Sequence, residues 1–214
     1  MSAPQPTPAK GGRAQRTREA LIRAGRELFS ERAVDAVAID DIVRAADVAK
    51  GSFYNHFTDR DDLVRAVVGQ IRHDLEARVG EVNAGVEDPA RRVARAVCVY
   101  QRYALDEPQR ARVMVRIQSG FSSLTSPVNR GGIDDVTAGL ASGRFAIATV
   151  EAGVLFVMGV SQTAMARTSR DPQPALATSL AQQVCALILR GLGVPSAEAE
   201  AIAAQAADEI VRGG

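Results

Sequence analysis

The sequence predicts an all-α protein, with an N-terminal three-helix helix-turn-helix domain followed by a larger C-terminal helical bundle. Three observations support this class. Apolar residues recur at steps of three and four along most of the 214 residues. Neither a sustained period-two alternation nor an Asn-Gly or Asp-Gly hairpin signal occurs. The helical segments are separated by stretches that each contain Pro or Gly: "EDPA", "DEPQ", "SLTSPVNRGG", "SRDPQPA" and "GLGVPS".

Composition and charge are those of an ordinary globular protein. The chain is 46% hydrophobic and 24% charged, with a net charge of +1. The charge is uneven, because residues 10–32 hold seven Lys/Arg against three Glu, a local balance of +4. Such a basic helix could lie beside phosphate, although a solvated helix face is the commoner explanation.

The first residues differ in composition from the rest. "MSAPQPTPAKGGRAQ" has three Pro and two Gly without an apolar run, so we expect a disordered arm over 1–14, neither a signal peptide nor an anchor. Residues 145–166 are long enough to span a bilayer and carry one charge, Glu151. Their Ser, Thr and Gln content favours a buried core or interface helix, and we expect no membrane contact.

Cysteine and histidine usage indicates neither a metal site nor a cofactor. Cys98 and Cys185 lie far apart inside apolar stretches, which suits two buried thiols in a reducing cytoplasm. No acid/base pair or nucleophile constellation is evident, so we expect no catalytic residue and no enzymatic activity.

The N-terminal domain is predicted to contain three helices over about 16–32, 39–46 and 49–57, and a fourth helix follows "TDRDD". Asp47 and Val48 alone separate the second and third helices, which makes them a helix-turn-helix. The apolar positions that would join these two short helices are Ile42, Ala46, Val48, Phe53 and Phe57.

The third helix would expose polar side chains suited to a DNA major groove. Lys and His can contact phosphate or guanine, Asn can pair with adenine, and a Tyr hydroxyl reaches a phosphate or a base edge. The alternative is a solvated helix above an aromatic core. The outward residues are Lys50, Ser52, Tyr54, Asn55 and His56.

Residues 17–64, "TREALIRAGRELFSERAVDAVAIDDIVRAADVAKGSFYNHFTDRDDLV", resemble the DNA-binding domain of the TetR family of transcriptional regulators. The most specific part is the run Gly51-x-x-Tyr54-x-His56-Phe57. The other matching positions are Leu28, Phe29, Ile42, Ala46, Val48 and Leu63.

The resemblance implies an all-α homodimer whose third helix enters the major groove of an operator in double-stranded DNA. It also implies a C-terminal domain that binds a small molecule and dimerises through two helices per subunit. We therefore expect three parts: an arm over 1–14, a DNA-binding domain over 15–62, and a ligand-binding and dimerisation domain over 63–214. The DNA contacts that it implies are Thr17, Lys50, Gly51, Ser52, Tyr54, Asn55, His56 and Arg60.

Four positions depart from the family pattern. Ala33 stands where a Gly usually ends the first helix, and a positive φ there would cost about 1 kcal/mol. Ala38 replaces a capping Ser or Thr, a loss of about 1 kcal/mol. Asp47 replaces a turn Gly, which is tolerable because Asp accepts the left-handed region. Ala49 removes a hydroxyl from the start of the third helix.

The C-terminal half is predicted to be helical over about 89–105, 107–119, 133–141, 145–168, 174–190 and 197–211. The helix 174–190 has two apolar stripes, so we expect it to be buried on two sides. Its partner 145–168 is rich in Gly and Ala, which permits close helix approach. We expect these two helices to form the homodimer interface, with a monomer core as the alternative.

A partly apolar small-molecule effector is expected in the C-terminal domain, although each candidate residue is more often plain core. The function predicted is a sequence-specific DNA-binding regulator, a repressor that a ligand releases from its operator. The alternative is a DNA architectural protein without sequence preference or ligand. The ligand candidates are Tyr100, Tyr103, Met114, Phe121, Phe145, Phe156 and Met158, with Arg116, Gln118 and Gln162 as polar anchors.

Overall fold

The computed structural model describes residues 10–117 and 130–213, with side chains from residue 12 onwards. Over these ranges the chain is helical and forms no strand, as the sequence predicts. The helices are α1 Lys10–Glu31, α2 Ile39–Ala45, α3 Lys50–Tyr54, α4 Arg60–Val82, α5 Pro89–Asp106, α6 Pro108–Arg116, α7 Arg130–Ala141, α8 Val150–Arg170, α9 Pro174–Gly191 and α10 Ser196–Ala206, which continues as a π-helical turn, Ala207–Arg212.

The chain forms two compact units, Met1–Gln70 and Ile71–Gly214. The boundary lies inside α4, whereas the sequence analysis placed it between residues 62 and 63. Because α4 is continuous through this point, Gly69 does not end the helix, and neither Pro nor a cap marks the boundary in the sequence. At the other end, α1 begins at Lys10, so residues 10–14 of the expected arm are helical, and residues 1–9 lie outside the described residues.

The first unit packs α1, α2, α3 and the start of α4 around an apolar core. Gly25 lets α1 lie close to α4, because a Cβ at residue 25 would lie 3.0 Å from the Leu63 side chain. Ile42, Phe53 and Phe57 are buried, as predicted for the residues that join the two short helices. α3 is shorter than expected, but the amides of residues 56 and 57 both donate to the Phe53 carbonyl at 2.9 Å and continue the turn.

The four departures from the family pattern have different structural outcomes. Asp47 adopts φ +53°, the left-handed conformation expected of it. Ala33 does not, because φ is −60° and ψ is 143°, so the strain considered for that position is absent. Ala38 and Ala49 occupy the N-cap positions of α2 and α3 without a side-chain hydrogen bond, and Asp40 and Asp41 lie in the first turn of α2.

The second unit is organised around α5, which packs against α7, α8, α9 and α10. Asp88 caps α5 by accepting a hydrogen bond from the Ala90 amide at 3.2 Å. Cys98 on α5 and Cys185 on α9 are buried with their Sγ atoms 3.6 Å apart, as free thiols. Their burial confirms the prediction of two buried cysteines.

Helix α8 begins at Val150 rather than near residue 145. The preceding segment is held by backbone hydrogen bonds from Phe145 to Gly139 and from Ala146 to Leu192, at 2.9 and 2.8 Å. Thr149 then caps α8 by accepting from the Ala152 amide at 3.1 Å. Within residues 10–117 and 130–213, no helix is long and apolar enough to cross a membrane.

Candidate nucleic-acid interface and ligand cavity

Helix α3 divides into a buried aromatic side and an exposed polar side. The Phe53 ring is fully buried and makes an edge contact with Tyr54 at 5.4 Å and a tilted contact with Phe57 at 5.7 Å. The Arg18 guanidinium of α1 lies 5.3 Å from the ring centre of Phe57, in the segment that follows α3. Tyr54 is nonetheless 54% exposed, so its hydroxyl edge is presented to solvent.

The remaining candidate DNA contacts lie on or beside this exposed side. Lys50, Gly51 and Asn55 are exposed, and Ser52 and His56 are half-buried. The structure therefore brings the third-helix candidates together on one short surface. Thr17 is half-buried on α1, where its hydroxyl donates to the Arg13 carbonyl at 3.1 Å.

Gly51 occupies an open position on α3. A Cβ placed there would meet no described atom within 4 Å, its own helix backbone and chain neighbours aside. Packing inside the first unit thus does not require glycine at this point. A glycine in a helix costs up to about 1 kcal/mol relative to alanine. No packing contact within the first unit explains why glycine is present here.

Both cations nominated for phosphate contact are paired with carboxylates. The Lys50 ammonium lies 2.7 Å from an Asp40 carboxylate oxygen, and this hydrogen bond raises the pKa of Lys50. The Arg60 guanidinium lies 3.1 Å from Asp35 and also donates to the Asp35 carbonyl at 3.2 Å. In the free protein, both cations therefore already form ion pairs.

The second unit contains a small, mainly apolar cavity of about 560 Å³, its mouth included. Its few polar groups are of the kind that fix a ligand's orientation. The wall comprises Glu76, Val79, Ala96, Val97, Tyr100, Gly132, Asp135, Val157, Met158, Ser161 and Gln162.

Two carboxylates face this cavity, and each is opposed by a guanidinium. Burial raises the pKa of Glu76, which the positive charge of Arg72 counteracts. Burial also raises the pKa of Asp135, although Arg92 donates a short hydrogen bond to it. Arg92 is itself fixed by donating to the carbonyls of residues 83 and 86, each at 3.2 Å. The charges at the polar end therefore balance.

The uncharged polar groups of the cavity are also defined. Burial, with Glu76 adding to it, raises the pKa of Tyr100 to about 12, so its hydroxyl stays protonated at neutral pH. The Ser161 hydroxyl donates to the Val157 carbonyl at 2.6 Å, which leaves it only acceptor capacity toward a ligand. Carboxylates are acceptors only, so the polar end of the cavity is rich in acceptors.

The predicted ligand residues separate into two groups. Tyr100, Met158 and Gln162 line the cavity. Tyr103, Met114 and Phe145 are buried at 0–2% exposure and do not belong to its described wall. Arg116 is exposed at the end of α6, and Phe156 is 39% exposed and covers Gly191. Phe121 and Gln118 lie outside the described residues.

Sequence reasoning missed the two carboxylates of the cavity, Glu76 and Asp135. Each directly adjoins a buried apolar residue of its helix, Leu75 or Val136. A charged residue next to the apolar stripe of a helix is a signal that could have found them, because such a group needs a partner when it is buried.

Within the part of the chain that the structure describes, helices α8 and α9 leave large apolar side chains exposed. Ala177, Ala181, Cys185 and Leu189 form the buried stripe of α9. The second predicted stripe is partly open, and large apolar side chains of both helices remain exposed at 39–52%: Leu155, Phe156, Leu176 and Leu187.

Comparison with known proteins matches both units. The family model "Bacterial regulatory proteins, tetR family" matches residues 21–67, which contain α2 and α3. The model "Tetracyclin repressor-like, C-terminal domain" matches residues 88–205, more than half of the chain. The chain belongs to the TetR family. The resemblance carried by residues 17–64 is thus confirmed and extends to the helical C-terminal domain.

Several curated transcriptional regulators are similar to part of this chain. The HTH-type transcriptional repressor DhaR of Mycobacterium sp. (strain GP1) is 37% identical over 62 residues, 29% of this chain and 31% of that protein. The repressor BepR of Brucella suis biovar 1 (strain 1330) is 35% identical over 63 residues, 29% and 30% of the two chains. The chain thus spans about a third of the length of these curated relatives.

Solved TetR-family structures extend the similarity to the whole chain. RolR in complex with resorcinol is 27% identical, with a TM-score of 0.61 over 92% of this chain and 97% of RolR. A gamma-butyrolactone receptor, an ArpA-like protein, has a TM-score of 0.63 over 92% and 99% of the two chains. At 18% identity, that receptor shows the shared fold alone.

Proposed function

We propose that this protein is a sequence-specific DNA-binding transcriptional repressor that a small molecule releases from its operator. One observation carries this proposal: a short helix exposes an open glycine beside a polar surface. The cavity of the second unit, with its few polar groups, supports the ligand-responsive part. The repressors DhaR and BepR and the resorcinol-bound RolR support the proposal. The DNA contacts proposed are Thr17, Lys50, Gly51, Ser52, Tyr54, Asn55, His56 and Arg60.

The repressor acts as a homodimer in this proposal. One five-residue helix neutralises few phosphates, and two half-sites about one DNA turn apart convert weak binding into useful affinity. The uncovered apolar face of α8 and α9 supports a four-helix interface about a two-fold axis. Leu176 and Leu187, which are 50% and 52% exposed, lie on the α9 side of that face.

Selection from a random DNA pool tests the DNA-binding part of the proposal. The protein is expected to enrich a two-fold symmetric sequence, and Tyr54→Ala is expected to weaken binding of the enriched duplex at least tenfold. Leu105→Ala, a substitution in the second unit, serves as a folded control. If the wild-type protein enriches nothing, or binds the enriched and starting pools equally, a sequence-specific regulator is ruled out and an architectural role is favoured.

The effector that best fits the cavity is a neutral, mainly apolar molecule with hydroxyl donors. Glu76 and Asp135 accept hydrogen bonds, and each already faces a guanidinium. A cationic ligand would therefore add an unbalanced charge to a desolvated site, and an anionic ligand would meet two carboxylates. A molecule with two hydroxyls satisfies both acceptors without adding charge, and resorcinol, the ligand of RolR, has this chemistry.

Calorimetry with a matched series of compounds tests this effector class. Affinity is expected to fall from resorcinol to its monomethyl ether to its dimethyl ether, because each methyl group removes a donor from a buried acceptor. Benzoate and benzylammonium are expected to bind more weakly than resorcinol. Glu76→Gln should weaken resorcinol binding about tenfold, since a hydrogen bond to a charged group contributes about 1.5–3 kcal/mol.

The control for this variant is Glu81→Gln, which removes the same charge from an exposed position of the same helix. Equal binding of resorcinol and its dimethyl ether would contradict the role of the acceptors. Tighter binding of benzylammonium than of resorcinol would instead show that the cavity takes a cation.

A further inference from the structure

The surface around the proposed recognition helix is acidic. Residues 33–62 contain seven Asp against three cations, Arg44, Lys50 and Arg60, a balance of −4. The preceding stretch, residues 10–32, has a balance of +4. A DNA-binding surface ordinarily gains its sequence-independent affinity from uncompensated Lys and Arg. In this chain most Lys and Arg residues of the first unit belong to α1, whereas the segments before and after α3 are rich in Asp.

Lys50, the only cation on α3, is held by a carboxylate of the preceding helix. Its ammonium lies 2.7 Å from Asp40 of α2, and their side chains are 57% and 60% exposed. Because the pair is exposed, water screens most of its effect on the stability of the fold, but the bond must still be broken before Lys50 can bind a phosphate. The bond therefore contributes little to folding, and its position on the outer surface needs another explanation.

This pairing changes how Lys50 responds to DNA. To contact a phosphate, Lys50 must leave Asp40, or Asp40 must be carried toward the phosphate, where like charges repel. Binding without sequence preference rests almost entirely on phosphate contacts, so it loses the contribution of Lys50. Direct contacts to base edges in a matching sequence come from Tyr54, Asn55 and His56 and do not depend on this ammonium.

We infer that Asp40 is a specificity-determining residue, which suppresses sequence-independent DNA binding by withholding Lys50 from phosphates. The inference rests on the proposed DNA-binding function. Asp35, which precedes α3, pairs in the same manner with Arg60, which follows α3, at 3.1 Å. Because both cations are held by carboxylates, the discrimination between DNA sequences depends on the uncharged side chains of α3.

The test compares wild-type protein with Asp40→Asn on two DNAs, a duplex enriched by the wild-type protein and the unenriched random pool. In the variant, Lys50 gains a phosphate contact on the random pool, so affinity for that pool should rise about threefold to tenfold at low salt. The slope of log affinity against log salt should steepen by about 0.9 for this one phosphate. Affinity for the enriched duplex should change less, so the ratio of the two affinities falls.

Two controls tie the effect to Lys50. Asp208→Asn removes the same charge from the last turn of the chain, where Asp208 pairs with Arg212, and should leave both affinities unchanged. In the background of Lys50→Met, the Asp40→Asn change should no longer affect binding to the random pool. Lys50→Met alone should barely weaken binding to that pool, because Asp40 already withholds Lys50 from phosphates in the wild-type protein. This measurement is informative even if Asp40→Asn does not fold.

The outcomes separate the inference from the function on which it rests. If the wild-type protein binds no DNA, the proposed function fails. If it binds the enriched duplex but Asp40→Asn changes both affinities equally or not at all, the role of Asp40 is refuted while the proposed function stands. A gain that persists with Lys50→Met also refutes it, because Asp40 would then act without Lys50.

Discussion

Substitution of Gly51 by alanine or leucine adds side-chain atoms at an exposed point of α3 where no described atom of the protein lies within 4 Å. In the free protein this change is expected to stabilise, because glycine in an exposed helix is about 0.5–1 kcal/mol less favourable than alanine. For a chain of this size, such a gain raises Tm by about 1–4 °C. Thermal unfolding followed by circular dichroism measures this rise.

On DNA the same variants are expected to behave in the opposite way. If Gly51 faces the duplex, the alanine methyl costs part of the affinity, and the leucine side chain displaces α3 from the groove. Gly51→Leu should therefore weaken binding to an enriched duplex more than about tenfold, equivalent to about 1.4 kcal/mol. Fluorescence anisotropy with a labelled duplex gives both dissociation constants.

A matched control is Gly80→Leu, which adds the same side chain at another exposed helical glycine with open space around it. It should leave DNA affinity unchanged. Wild-type affinity in Gly51→Leu would refute the argument that this glycine is kept for an approaching partner. A loss of Tm in Gly51→Ala would refute the argument that the position is open.

Three further predictions concern the second unit. Leu187→Glu places a charge on the uncovered face and should shift the dimer toward monomer in sedimentation; an unchanged mass would contradict that interface. Phe145→Ala should cost about 3–5 kcal/mol in urea unfolding and leave resorcinol affinity per folded protein unchanged, because Phe145 fills the core over Gly139. Arg144 lowers the pKa of Asp88, so this stabilisation is present above about pH 4, the ordinary range of an Asp, and is lost as pH falls further. Arg144→Met should therefore lower the urea midpoint at pH 7 and have a smaller effect near pH 3; an equal loss at both values would contradict the pair.

The sequence predicted the class of every described helix, since apolar spacing and Pro or Gly breaks are local signals. Boundaries were less predictable where tertiary contacts decide them. Helix α8 starts at Val150 because backbone hydrogen bonds to Gly139 and Leu192 hold the preceding segment outside the helix. Leu192 is distant in sequence from residue 146, so periodicity alone placed the start near residue 145.

The two proposed sites differed in how far the sequence anticipated them. The exposed surface of α3 follows from one short motif, because Phe53 and Phe57 must face inward and their neighbours then face outward. The cavity is assembled from α4, α5, α7 and α8, and only Tyr100, Met158 and Gln162 were anticipated. A wall built from four helices depends on their packing, which no local pattern encodes.

The pairing of these charges also could not be predicted from the sequence. Lys50 and Arg60 were predicted as DNA contacts from the family resemblance, but Asp40 and Asp35 lie beside them only after the turns are folded. Asp40 stands at the start of the second predicted helix, where its negative charge suits the helix dipole. The structure shows that it lies there and also bonds Lys50.

The most direct test of ligand-controlled DNA binding is the release of a preformed complex. The protein is bound to a labelled duplex enriched from a random pool, and resorcinol is added while anisotropy is recorded. We expect the wild-type complex to dissociate as resorcinol saturates the cavity, and Glu76→Gln to need about tenfold more. A complex that stays intact at saturating resorcinol, or identical release curves for the two proteins, would contradict the coupling of this cavity to the DNA-binding unit.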